Sequence, residues 1–216
     1  MKLNLKIGAG DWTGVMMKLY EQAPHLKKVV EQTGYVDLRS LLFLHNLVKQ
    51  VQPEVVVELG TGFGCSAIFM ALGWEETTIV TVDDYRGDTS THLWTSKGNV
   101  EDCGVGDQVI LLDGDSRDKM GMGIPAEMVF MDASHNPKDM IDELSALEGN
   151  LKQNHILVID DIYSVHLDKF SFDLLKKGIY QELHVFPFHN GVAVLSTAPG
   201  VYRQKITDAA HGVYDV

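Results

Sequence analysis

The stretch Val55-Val56-Val57-Glu58-Leu59-Gly60-Thr61-Gly62-Phe63-Gly64-Cys65-Ser66 constrains this chain more than any other. Three β-branched residues form a buried strand, an acid follows, a glycine-rich turn comes next, and the small and apolar run from Cys65 to Leu72 opens a helix. Glycines at 60, 62 and 64 allow positive φ and let a backbone pass close to a ligand. A strand, a tight loop and a helix in this order hold a small molecule at the carboxyl end of the strand. In Cys65 the sequence offers a small apolar filler.

Around this unit, strands and helices alternate. A helix over 37–51 presents Leu38, Leu41, Leu42, Leu44, Leu47, Val48 and Val51 on one face, with Asp37 as its N-cap and Pro53 as its stop. His45 on that helix reads as a packed or surface histidine. Strand 55–59 feeds a helix over 65–73, and strand 78–82 ends in Asp83-Asp84. A helix lies within 89–102. Strand 108–112 ends in Asp113-Gly114-Asp115-Ser116, and strand 127–131 ends in Asp132. Asn136-Pro137 starts a helix over 137–148, whose inner face reads as Met140, Ile141, Leu144 and Leu147. Strand 155–159 ends in Asp160-Asp161, and a helix covers 166–177. Strands 182–188 and 192–196 flank Asn190-Gly191, a hairpin signal, so they pair antiparallel. Residues 197–216 read as a tail without structure, and residues 1–36 as an arm that either packs on the core or covers a site. The fold class is therefore α/β: a doubly wound, mostly parallel seven-stranded sheet, Rossmann-like, with an antiparallel C-terminal hairpin. One domain spans 1–216, with its core at 37–196.

Each of the first five strands ends in an acid: Glu58, Asp83, Asp113 with Asp115, Asp132, and Asp160 with Asp161. Turns favour Asp, which explains one or two of them. A full row on one rim repels itself unless a cation offsets it. The loop reads GxGxG rather than the GxGxxG of dinucleotide sites, and the acid before it disfavours a pyrophosphate while suiting a sulfonium or ammonium group. Asp83 is placed to accept from ribose hydroxyls. Asp115-Ser116 suits either an adenine edge or a plain turn.

Those residues resemble the class I methyltransferases that use S-adenosylmethionine (SAM), and within them the small O-methyltransferases of the catechol and caffeoyl-CoA type. The similarity covers roughly 37–196. The family's E-L-G-x-x-x-G-x-S pattern is met by Glu58-Leu59-Gly60-Thr61-Gly62-Phe63-Gly64-Cys65-Ser66. The resemblance implies that Glu58, Gly60, Thr61, Gly62, Phe63, Gly64 and Asp132 surround the cofactor and that Ser66 binds its methionine carboxylate. It likewise implies that Asp83 holds the ribose and that Asp115 and Ser116 meet the adenine. It further implies a divalent ion, Mg²⁺ or Ca²⁺, on Asp132, Asp160 and Asp161, all oxygen ligands. Where the family carries Asp-Asn, this chain has Asp160-Asp161, a pair shared with some sugar O-methyltransferases. Where the family often has a lysine base, this chain has His135, an imidazole suited to deprotonating a bound hydroxyl, or else to capping the next helix.

The remaining features set bounds. A net charge of −12 argues against a nucleic-acid or anionic-membrane partner. Two cysteines make no disulfide framework, and neither a signal peptide nor a membrane span is visible, so a cytoplasmic protein is expected. The partner implied is a small hydroxylated acceptor, and both a monomer and a homodimer fit. Two rivals stay open: an NAD-dependent oxidoreductase, and a non-catalytic protein of the same fold. Trp74 and Trp94 read as packing residues, and Tyr163 as a candidate lining of an acceptor pocket.

Overall fold

The computed structural model of the chain describes residues 13–33, 37–85, 92–119, 123–163, 167–188 and 190–214. At its centre lie β1 (Val55–Leu59), β2 (Thr78–Asp83), β3 (Val109–Asp113), β4 (Ala126–Met131), β5 (Leu151–Ile159), β6 (Glu182–Phe186) and β7 (Val192–Ser196). They form one sheet in the order β3-β2-β1-β4-β5-β7-β6. The first five strands are parallel, and β7 runs antiparallel to both β5 and β6. The chain steps outward from β1 to β3 and then returns to β4 on the other side of β1. The two halves thus diverge between β1 and β4, where a parallel sheet opens a crevice at its carboxyl edge.

The helices are α1 (Thr13–Gln22), α2 (Leu26–Thr33), α3 (Leu38–Val51), α4 (Cys65–Ala71), α5 (His92–Asp102), the single turn α6 (Ser116–Lys119), α7 (Pro137–Leu147), α8 (Leu167–Lys176) and α9 (Pro199–Tyr214). Alternation along each strand sends neighbouring residues to opposite faces. Val56, Ile79, Met128, Phe130 and Val158 pack with α3, α4 and α9, whereas Val57, Val80, Val129, Met131 and Leu157 pack with α7 and α8. Because both faces are covered, the strands are apolar runs rather than alternating ones. The capping signals act as read: Asp37 accepts from the Arg39 N–H at 2.9 Å, and Asn136 from the Lys138 N–H at 3.0 Å. His45 is buried with Nδ1 3.2 Å from the Phe69 carbonyl, and burial lowers its pKa to about 4.

Four expectations need correction. Residues 199–214 are no tail but the helix α9, which lies along α3 and buries Tyr202, Ile206, Ala209, Ala210 and Val213. Ile206 is fully buried there, so Ile206→Ala is expected to lower the unfolding free energy by about 2–4 kcal/mol in urea denaturation. An effect below about 0.5 kcal/mol would mean that α9 detaches in solution. The described part of the N-terminal arm packs as well: Met16 and Leu19 are buried in the core. The first twelve residues of that arm lie outside the described residues. Strand β5 begins at Leu151 rather than at 155, its first four residues being half-buried or exposed and so lacking the apolar signature. Trp94 is 73% exposed and packs on little. Ile141, read as inward, is exposed, and its place on the inner face of α7 is taken by Glu143.

Candidate active site

The carboxyl ends of β1 to β5 meet at one rim, and backbone bonds draw their loops together. The Gly60 N–H donates to Val82, the Asp132 N–H to Leu59, the Gly114 N–H to Asp83 and the Asp160 N–H to Met131. The glycine loop spans β1 to α4 with positive φ at Gly60, Gly62 and Gly64. At Gly60 the need for glycine is steric, since a Cβ there would lie 2.7 Å from the Asp132 carbonyl oxygen and 2.8 Å from the Ala133 nitrogen. Asp83 fastens the loop by accepting from the Gly62 N–H at 2.9 Å, and Ser96 Oγ donates to the Gly62 carbonyl at 2.6 Å.

A cavity of about 480 Å³ lies over this loop, a size suited to a small-molecule cofactor. Gly60, Thr61, Gly62, Phe63, Ser66, Asp83, Asp115, Ser116, Asp132 and Asp160 all line it, so residues scattered over a hundred positions of sequence converge as read. Gly64 caps α4 behind the loop, and Glu58 lies beneath the floor. Several side chains already have partners. Asp115 is held by the backbone and guanidinium of Arg117, and Ser116 Oγ donates to Glu143 at 2.8 Å. Ser66 Oγ donates to Glu58.

Glu58 is fully buried, and its Oε2 has no hydrogen-bond partner. Burial pushes its carboxyl up to about 7, against the opposing hydrogen bond from Ser66. Unfolded, the group ionises near 4.5. Between those values the folded protein keeps a proton that the unfolded chain has lost, so stability falls as pH rises through this window. Glu58→Gln carries no such titration. Relative to the wild type it is expected to gain about 2–3 kcal/mol between pH 5 and pH 8, read by urea denaturation. An equal difference at both pH values contradicts the assignment.

At the β4–β5 edge of the cavity stands a second group. His135 Nε2 is 3.2 Å from Asp161 Oδ2 and 4.0 Å from Asp132 Oδ1, and donor atoms of all three residues lie within 4.8 Å of one another. Asp160 stands apart from this trio, facing the cavity, and its Oδ1 accepts from the Asp161 N–H at 2.9 Å. Asp161 takes left-handed backbone, φ 56°, which Asp tolerates better than most residues. Enclosure by the cleft, and then the charges of Asp160, Asp161 and Glu58, hold the Asp132 carboxyl well above its ordinary value. With its side chain 38% exposed, water softens the burial penalty, but the three neighbouring acids act in the same direction.

Two buried polar residues with an unpartnered oxygen at the cavity escaped the sequence reading. Ser40, in the first turn of α3, is buried with an unpartnered Oγ, and Glu143 on α7 is buried with an unpartnered Oε2. The available signal was the spacing: Glu143 stands three residues after Met140 and four before Leu147, both inward. Tyr163 is exposed, and its ring packs on Gly191 rather than on the cavity.

The methyltransferase-domain family matches residues 57–162, from β1 through the loop after β5. No curated protein matches the chain. Among solved structures, a methyltransferase from Geobacter sulfurreducens is similar at 22% identity and a TM-score of 0.67, over 80% of this chain and 87% of that one. A Staphylococcus aureus protein provisionally assigned as a caffeoyl-CoA O-methyltransferase is similar at 16% identity and a TM-score of 0.69, over 85% and 97%. An O-methyltransferase from Bacillus cereus, solved with S-adenosylhomocysteine, gives 17% identity and 0.64, over 86% and 98%. Residues 57–162 thus match a methyltransferase-domain model, and the chain as a whole has the fold of these solved methyltransferases. Among the described residues no helix is long and apolar enough to cross a membrane.

Proposed function

We propose that the protein transfers a methyl group from SAM to a hydroxyl of a small-molecule acceptor, with a divalent ion at the β4–β5 edge. The observation that carries the reading is Asp132. It both lines the cavity over the glycine loop and belongs to the trio with His135 and Asp161, so one residue joins a cofactor-sized space to a metal-ligand set. SAM would supply an electrophilic methyl on a sulfonium. The glycine loop would hold its amino-acid end, and Asp83, whose oxygens retain lone pairs beyond those used by Gly62 and Tyr85, would accept from the ribose.

The donor set fits a cation: clustered carboxylates, one of them raised by the others, are relieved by one positive charge. Asp132, Asp161 and Asp160 would hold the ion, and such an ion would lower the pKa of a bound hydroxyl. The chain's own work is alignment of the acceptor oxygen with the methyl, exclusion of water and removal of the hydroxyl proton by His135.

A second role for His135 is favoured by its distances. With Nε2 3.2 Å from Asp161 Oδ2, it is as well placed to be a ligand as a base. A set of one imidazole and two carboxylates also admits Mn²⁺, Fe²⁺, Co²⁺ or Zn²⁺. His135→Ala separates the two: a base loses turnover but keeps metal affinity, and a ligand loses both.

Calorimetry with SAM and NAD tests the core of the proposal. Micromolar binding of SAM with no heat from NAD is expected. Binding of NAD alone would favour the oxidoreductase reading.

A further inference from the structure

The cavity has one buried acid that neither the loop nor the metal-ligand trio uses. Glu143 projects from the inner face of α7, is 6% exposed and lines the cavity beside Gly114, Ser116 and Arg117. Its Oε1 accepts from Ser116 Oγ at 2.8 Å, and its Oε2 is buried without a partner. A buried carboxylate oxygen left unpaired destabilises the site, more so when charged. A bound ligand that brings an N–H donor to this point removes that cost.

The sheet order shows which part of a ligand arrives there. From the glycine loop after β1, the cavity passes Asp83 after β2 and reaches Ser116 after β3. On the reading above, a nucleoside with its ribose at Asp83 extends its base to the β3 side, against α6 and α7. Asp115, the acid nearest in sequence, is already clamped by the Arg117 guanidinium.

We infer that Glu143 is the cofactor-specificity residue of this site: its Oε2 accepts a hydrogen bond from the exocyclic amine of adenine, and Ser116 orients it. The acid therefore selects a 6-amino purine. A 6-oxo purine sets a carbonyl oxygen against a carboxylate oxygen, leaving both unpaired. Sites that pair a buried polar group with a ligand donor reject analogues lacking that donor strongly.

The inference rests on the SAM reading, and the experiment separates the two. Calorimetry compares S-adenosylhomocysteine with S-inosylhomocysteine, its 6-oxo analogue, on the wild type and on Glu143→Gln. The glutamine keeps an oxygen for Ser116 and the shape of the side chain while turning the other position into a donor. The wild type is expected to prefer the adenine ligand by about 100-fold or more. Glu143→Gln should lose at least about tenfold for that ligand, and its preference should collapse to within about fivefold. Equal binding of both ligands by the wild type overturns the inference without recourse to a variant. So does an unchanged preference in Glu143→Gln, while the SAM reading stands. Binding of neither ligand by the wild type overturns both.

Discussion

Gly60→Ala is expected to cost about 2–4 kcal/mol of unfolding free energy and to weaken cofactor binding by at least about 100-fold. Gly60 has φ +100°, outside the range an alanine adopts without strain. A Cβ there meets the backbone of Asp132 and Ala133 within 2.8 Å. Backbone cannot swing aside as a side-chain tip does, so β1 and β4 must part at the rim where Asp132 N–H bonds Leu59. The shift would move the floor of the cavity and Asp132 together. Gly62 is the control. It has φ +50°, and a Cβ meets nothing within 4 Å, so Gly62→Ala is expected to cost only about 1 kcal/mol. Equal costs at the two positions, read by urea denaturation, would mean that the close approach at Gly60 is not rigid.

Asp132→Asn is expected to move activity and stability in opposite directions. As a proposed ligand and cavity wall, Asp132 should reduce turnover by about 100-fold or more when neutralised, and chelation with EDTA should match that loss in the wild type, with Mg²⁺ or Mn²⁺ restoring it. In metal-free protein the same variant should be more stable. The wild-type carboxyl is raised by its enclosure and by Asp160, Asp161 and Glu58, so its ionised form is disfavoured in the folded state. That cost grows as pH rises above the ordinary value, near 3.8, and is complete once pH passes the raised pKa; it is absent in acid, where both residues are neutral. With the side chain 38% exposed and screened by water, the gain is on the order of 1 kcal/mol at pH 8 and nil near pH 3. Full turnover in excess chelator would remove the metal from the account. Loss of both activity and stability at pH 8 would show that the acids are not in mutual repulsion.

The strands were legible because burial on both faces writes itself as β-branched runs, as in Val55-Val56-Val57, with an acid marking the carboxyl end of each of the first five. α9 was not. It opens on Pro199-Gly200 and buries Ala209 and Ala210, small residues that register weakly as apolar, although Tyr202, Ile206 and Val213 hold the helical spacing. The site shows the same divide. Residues tied to the loop or to a strand end, such as Gly60, Asp83 and Asp132, converge on one cavity. Glu143 was passed over because apolarity was used to choose the inner face of α7, and that criterion cannot select a buried acid. Nor does a sequence give distances across the rim: only the fold sets His135 against Asp161, 26 positions apart, and leaves Asp160 outside their trio.

The most direct measurement is a crystal structure of the protein grown with saturating S-adenosylhomocysteine. The account predicts the ligand in the cavity between the glycine loop and Ser116, its ribose on Asp83 and its sulfur toward Asp132. A cavity left empty at saturating ligand, or a ligand bound elsewhere, would contradict it.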